Sequence, residues 1–181
     1  MKTSPLSQIV ERIRSEQQLT REVPDFDPQN GNETARFLFV LEAPGPKAVA
    51  SGFVSLKNED QTAKNFQAQL TAAGVSSADI ALWNVVPWYL GNAEHSKIRG
   101  ARSLDVKQGL QYLTAVVTAI ENLQCIVLVG SAARQAHIHL SHNTTAHILS
   151  CHHPSPKVHP VDFILSGSLI HHAFIILSHD V

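Results

Sequence analysis

Apolar positions recur along this chain with two different periods. Residues 5–17 place Leu6, Ile9, Val10 and Ile13 at alternating three- and four-residue steps, which predicts an amphipathic helix. A loop containing Pro24, Pro28 and Gly31 follows. Residues 36–41 are then apolar on both faces, as in a central strand of a parallel sheet. That run stops at Glu42-Ala43-Pro44-Gly45-Pro46 and opens a long loop lasting to about Asp60. Residues 61–73 return to helical spacing, with Phe66, Leu70 and Ala73 on one stripe. A second strand covers 80–83 and ends at Asn84, and a polar loop spans 91–103. A long helix over 104–122 is expected to bury Leu110, Leu113, Val117 and Ile120. The third strand is 125–129, a helix opens at Gly130 and runs to about His139, and the fourth strand is 146–150. The tail beyond Asp162 is expected to be helical.

Strands alternating with helices at these intervals predict a three-layer α/β/α sandwich around a four-stranded, mostly parallel sheet. Residues 1–181 read as a single domain, with a helix and loop over 1–35 and a core over 36–160. Right-handed crossovers would bring all the strand ends to one edge of the sheet. Three of those ends are conspicuously punctuated: Glu42-Ala43-Pro44-Gly45, Asn84 with Pro87-Trp88, and His153-Pro154-Ser155-Pro156. Open α/β sheets place their ligand chemistry at this edge.

Composition narrows the classes. A net charge of −1 gives no global basic field to announce a nucleic-acid partner. Two cysteines, both in apolar runs, form neither a disulfide framework nor a four-cysteine metal site, and they read as reduced core thiols of a cytoplasmic protein. No segment reaches the roughly 20 apolar residues of a membrane span, and the start of the chain lacks a signal-peptide core. Ten of the eleven histidines lie between His137 and His179. His137-Ile138-His139 and His171-His172 are poorly spaced for a shared ion, because residues two apart on a helix face about 200° apart. No metal or other cofactor is expected.

The strand ends carry usable chemistry. Proline at 154 and 156 biases His153 and Ser155 to extended backbone and fixes the imidazole at the rim. His153 could donate to an oxygen that gains negative charge; its bland alternative is a buried histidine bonded to backbone. His152 points the other way in a regular strand and reads as structural. Asn84 offers a donor and an acceptor to an amide edge, or simply forms a turn. Phe53 could stack on a planar ring or act as a lid. Glu42 could accept from water or balance a cationic sugar.

Taken in order, these residues resemble the uracil-DNA glycosylase superfamily. Leu41-Glu42-Ala43-Pro44-Gly45 is similar to the first motif of its cluster-containing branch, Gly-Glu-Ala-Pro-Gly. Phe53-Val54-Ser55 is similar to its Phe-Val-Gly, Asn84-Val85-Val86 to its Asn-Val-Val, and His153-Pro154-Ser155 to its His-Pro-Ser. The resemblance covers roughly residues 36–160. It implies a base-excising enzyme that flips its target nucleotide out of DNA and needs no cofactor. It also implies that Glu42 and His153 are catalytic, that Phe53 stacks on the base and that Asn84 reads the base's edge. Pro44, Gly45, Ser155 and Pro156, with Lys157 beside them, would press on the DNA backbone. The implied partner is DNA containing uracil or another damaged base, met by a monomer. The chain departs from the pattern in four ways. Two cysteines cannot hold that branch's iron–sulfur cluster, Leu41 and Ser55 replace glycines, and Ala43 stands where another branch has a catalytic aspartate. The alternative is therefore a weak or inactive nucleic-acid or nucleotide-binding protein of the same fold.

Overall fold

The structure, a computed structural model, describes residues 4–17, 22–156, 167–172 and 175. Its centre is a four-stranded parallel sheet in the order β4-β2-β5-β6, formed by β2 (Phe37–Leu41), β4 (Ile80–Asn84), β5 (Cys125–Val129) and β6 (His147–Cys151). Every pairing is parallel, so all four carboxyl ends share one edge. The middle strands β2 and β5 are apolar on both faces because helices cover both.

Residue alternation along the strands sorts the core into two layers. Leu38, Val40, Ala81, Trp83, Ile126 and Leu128 face a cluster with α1 (Pro5–Glu16), α4 (Ser103–Ala119), α5 (Gly130–Arg134) and α6 (His137–Ser141). Phe37, Phe39, Ile80, Leu82, Val127 and Cys151 face a second cluster built on α3 (Gln61–Ala72). Phe39 meets Phe66 of α3 edge-on, with ring centroids 5.2 Å apart. Each such side chain contributes about 1.5–3 kcal/mol on burial. The predicted α/β/α sandwich is therefore present, with its sheet wholly parallel.

Helix boundaries follow local chemistry. Pro5 sits at the first turn of α1, where its missing N–H is not needed, and the Ser4 hydroxyl accepts from the Ser7 amide at 3.2 Å. Asp60 caps α3 in the same way, its Oδ1 accepting from the Ala63 amide at 2.9 Å. The helix expected over 130–139 is instead two short ones, α5 and α6, with a break at Gln135-Ala136. The loop expected over 42–60 contains α2 (Pro46–Ser51) and the two-residue strand β3 (Phe53–Val54). That strand pairs in parallel with β1 (Asp25–Phe26) in a small second sheet. Of the tail, residues 167–172 and 175 are helical, and the rest of that expectation lies outside the described residues. Among the described residues, no helix is long and apolar enough to cross a membrane.

Candidate active site

The strand register assembles the site. Leu41 of β2 lies beside Asn84 of β4, and Val129 of β5 lies beside Cys151 of β6. Beyond the strands, the Val85 amide donates to the Leu41 carbonyl at 2.8 Å and the Val86 amide to the Glu42 carbonyl at 3.0 Å, which locks the two exits together. On the α3 side of this edge is a cavity of about 320 Å³. Its walls come from the loop after β2, from Val54 and Ser55, from the first turns of α3, and from Leu82, Asn84 and His153. The walls are mainly aliphatic, with few polar groups, which is how sites for flat organic ligands are built.

Asn84 reaches the cavity by the same alternation that sends Ile80 and Leu82 to the α3 side. It is 3% exposed, and among the described residues no group hydrogen-bonds its amide. Its polar atoms open onto the cavity, where a ligand with a matching edge can pair with them.

His153 is held from three directions. The Ser155 amide donates to its Nδ1 at 3.2 Å, so in the neutral ring the proton belongs on Nε2. The Asn65 amide of α3 donates to the Pro154 carbonyl at 2.9 Å and pins the proline loop. Behind the ring is Gly130, with φ 88°, where an added Cβ would come 3.2 Å from the His153 Cβ. Burial pulls the His153 pKa below its usual value, outweighing the opposite pull of the Glu42 and Asp60 carboxylates. The imidazole is thus a neutral ring with Nε2–H as the donor it can offer. His152, one residue earlier, is exposed and outside the cavity wall.

The structure brings some of the expected residues together and leaves others apart. Asn84, His153, Pro44 and Gly45 line the cavity; Glu42 and Phe53 do not. Glu42 turns away by alternation, and its Oε1 accepts from the Ala101 amide at 2.7 Å, anchoring the 91–102 loop to the rim. Phe53 is 37% exposed, next to the lining residues Val54 and Ser55. Ser155 is half-buried and Pro156 exposed, both on the His153 loop, whereas Lys157 lies outside the described residues. Of the basic residues, Lys47 lines the cavity, while Arg99 is engaged by both oxygens of Asp105 at 2.6 and 2.9 Å.

Sequence reasoning missed Asp60, Asn65 and Gly130. Asp60 lines the cavity and its charge reaches His153. An aspartate immediately before an apolar helical stripe is an N-cap signal, and a glycine directly after an apolar strand marks close backbone approach. Asn65 had no such signal, being one polar residue on a helix surface.

Two comparisons bear on this arrangement. The family model described as the uracil DNA glycosylase superfamily matches residues 28–161, a stretch that contains all four strands of the main sheet and every residue of the cavity wall. Among curated proteins, no match to this chain is found.

Proposed function

The chain belongs to the uracil DNA glycosylase superfamily, and from that premise we propose that it hydrolyses the N-glycosidic bond of uracil or a related damaged base in DNA. The observation that carries this reading is the Asn84 amide, buried without a protein partner on the wall of an aliphatic cavity that also holds a neutral histidine. A flipped uracil would present N3–H and O4 to that amide, which can accept from the first and donate to the second. His153 Nε2–H would then donate to O2. As the C1′–N1 bond breaks, negative charge collects on the departing base, and a fixed donor at that oxygen contributes about 3 kcal/mol, roughly 10²-fold in rate. A neutral imidazole suits this task, because it stabilises the anion without having to surrender a proton.

The remaining expected residues fit around this core. Glu42, outside the cavity wall and fixed by the Ala101 amide, acts on the site only through its charge, which is felt at His153 and would favour a cationic sugar. Phe53, exposed beside the cavity wall, offers its face to the entering base. Pro44, Gly45, Ser155, Pro156 and Lys157 would meet the DNA backbone. The competing reading, a binding protein without hydrolysis, draws support from Ala43, a methyl group on the cavity wall where the resemblance places a carboxylate in another branch.

Alkali treatment of a uracil-containing oligonucleotide after incubation with the protein separates the two. Strand scission by wild type, lost in Asn84→Ala and His153→Ala, is the expected result. Binding without scission would establish the competing reading, and neither binding nor scission would overturn both.

A further inference from the structure

With Ala43 at the position of the missing carboxylate and Glu42 tied to a loop, hydrolysis still requires a group to orient and deprotonate water. Among the described residues, the cavity wall holds one carboxylate, and it is Asp60. Its backbone is fixed on both sides: its amide donates to the Asn58 carbonyl at 2.8 Å, and its own carbonyl accepts from Lys64 at 3.2 Å. One side-chain oxygen, Oδ1, is committed to the Ala63 amide at 2.9 Å, which fixes the direction of the other. Oδ2 has no hydrogen-bond partner among the described residues. A carboxylate anchored through one oxygen, with no bonded partner on the second, in a residue that lines the same cavity as His153 is suited to act as a general base.

Building on the glycosylase reading above, we infer that Asp60 is a catalytic residue that holds the attacking water and takes its proton. In that step a lone pair of the water oxygen forms the new bond to C1′ of the deoxyribose. The C1′–N1 bond breaks and its electron pair leaves with the base, whose O2 is held by His153 Nε2–H. The water proton passes to Asp60 Oδ2 and from there to solvent, which returns the carboxylate for the next turnover. Asp60 comes from the start of α3, a different element from the loop after β2 that carries Glu42 and Ala43. The chemistry lost at Ala43 is thus supplied from across the cavity.

Asp60→Asn separates this role from the capping role, because an asparagine oxygen caps a helix about as well as aspartate does. The measurements are the single-turnover release of uracil, the affinity for a uracil-containing oligonucleotide and the melting temperature. The expected result is a loss of about 10²-fold or more in release rate, with affinity and melting temperature unchanged. Added formate is expected to restore part of the rate in Asp60→Ala, since a small carboxylate can occupy the vacated space. Release by Asp60→Asn at the wild-type rate, or a parallel fall in rate and affinity, would overturn the inference while leaving the glycosylase reading intact. No release by the wild-type protein would overturn the glycosylase reading itself, and this inference with it.

Discussion

Gly130 provides the sharpest test of how the fold holds His153. Its φ of 88° lies in the left-handed region, and a Cβ there would sit 3.2 Å from the His153 Cβ and 3.4 Å from its Cδ2. Gly130→Ala therefore imposes two separable penalties. Backbone strain costs about 2 kcal/mol, which for a chain of this size lowers the melting temperature by roughly 4–8 °C. The contact then pushes the imidazole by a few tenths of an ångström, and displacement on that scale costs about 4-fold in rate when 1 Å costs about 10². Gly74→Ala is the control. It has a similar φ of 74°, but an added Cβ there meets nothing within 4 Å. Thermal unfolding and single-turnover uracil release are measured on both variants. Similar losses of stability with a rate loss confined to Gly130→Ala are expected. Equal rates in the two variants, or an unchanged melting temperature in Gly130→Ala, would refute the reasoning.

Three further outcomes follow from the same structure. Asn84→Leu keeps the branched outline of the side chain and removes the amide, so in urea unfolding it should stay within about 1 kcal/mol of wild type while losing uracil release. His153 has a folded-state pKa below its ordinary 6.5, so the unfolded chain binds more protons between the two values; the stability due to neutral His153 is complete above 6.5 and is lost as pH falls below it. Urea unfolding should accordingly show wild type losing more stability than His153→Gln between about pH 7.5 and pH 5. Burial pushes the Cys125 and Cys151 thiols up to about 12, so iodoacetamide at about pH 8 should leave both unmodified in the native protein and label both in guanidinium, as read by mass spectrometry.

Much of this was legible in the sequence, for identifiable reasons. Three of the main strands, β2, β4 and β5, are continuous apolar runs, as burial on both faces requires, whereas β6, at the sheet edge, includes His147 and Ser150 and is only partly buried. Period-two alternation at a strand end separated His153 from His152, and the side chains lie accordingly. The same rule, carried one residue past Leu41, turns Glu42 away from the cavity, a consequence the motif resemblance obscured. Strands of two residues, such as β1 and β3, are too short to have a period, and their pairing depends on distant contacts. The break between α5 and α6 has no proline or glycine to announce it. Asp60 and Gly130 were visible as local signals, but their meaning depends on α3 and β6 converging at one cavity, which no single segment encodes.

The central claim is that Asn84 reads the edge of an extruded base, and a change in the direction of its hydrogen bonds tests it most directly. Asparagine can accept from N3–H and donate to O4 of uracil; aspartate only accepts when ionised, which suits the N4 amino group of cytosine instead. Oligonucleotides carrying one flipped-out uracil or one flipped-out cytosine are incubated with wild type and with Asn84→Asp, and the free bases are separated by chromatography. Wild type is expected to release uracil and not cytosine, and Asn84→Asp to lose that preference in favour of cytosine. Release of uracil by Asn84→Asp at the wild-type rate would contradict the account.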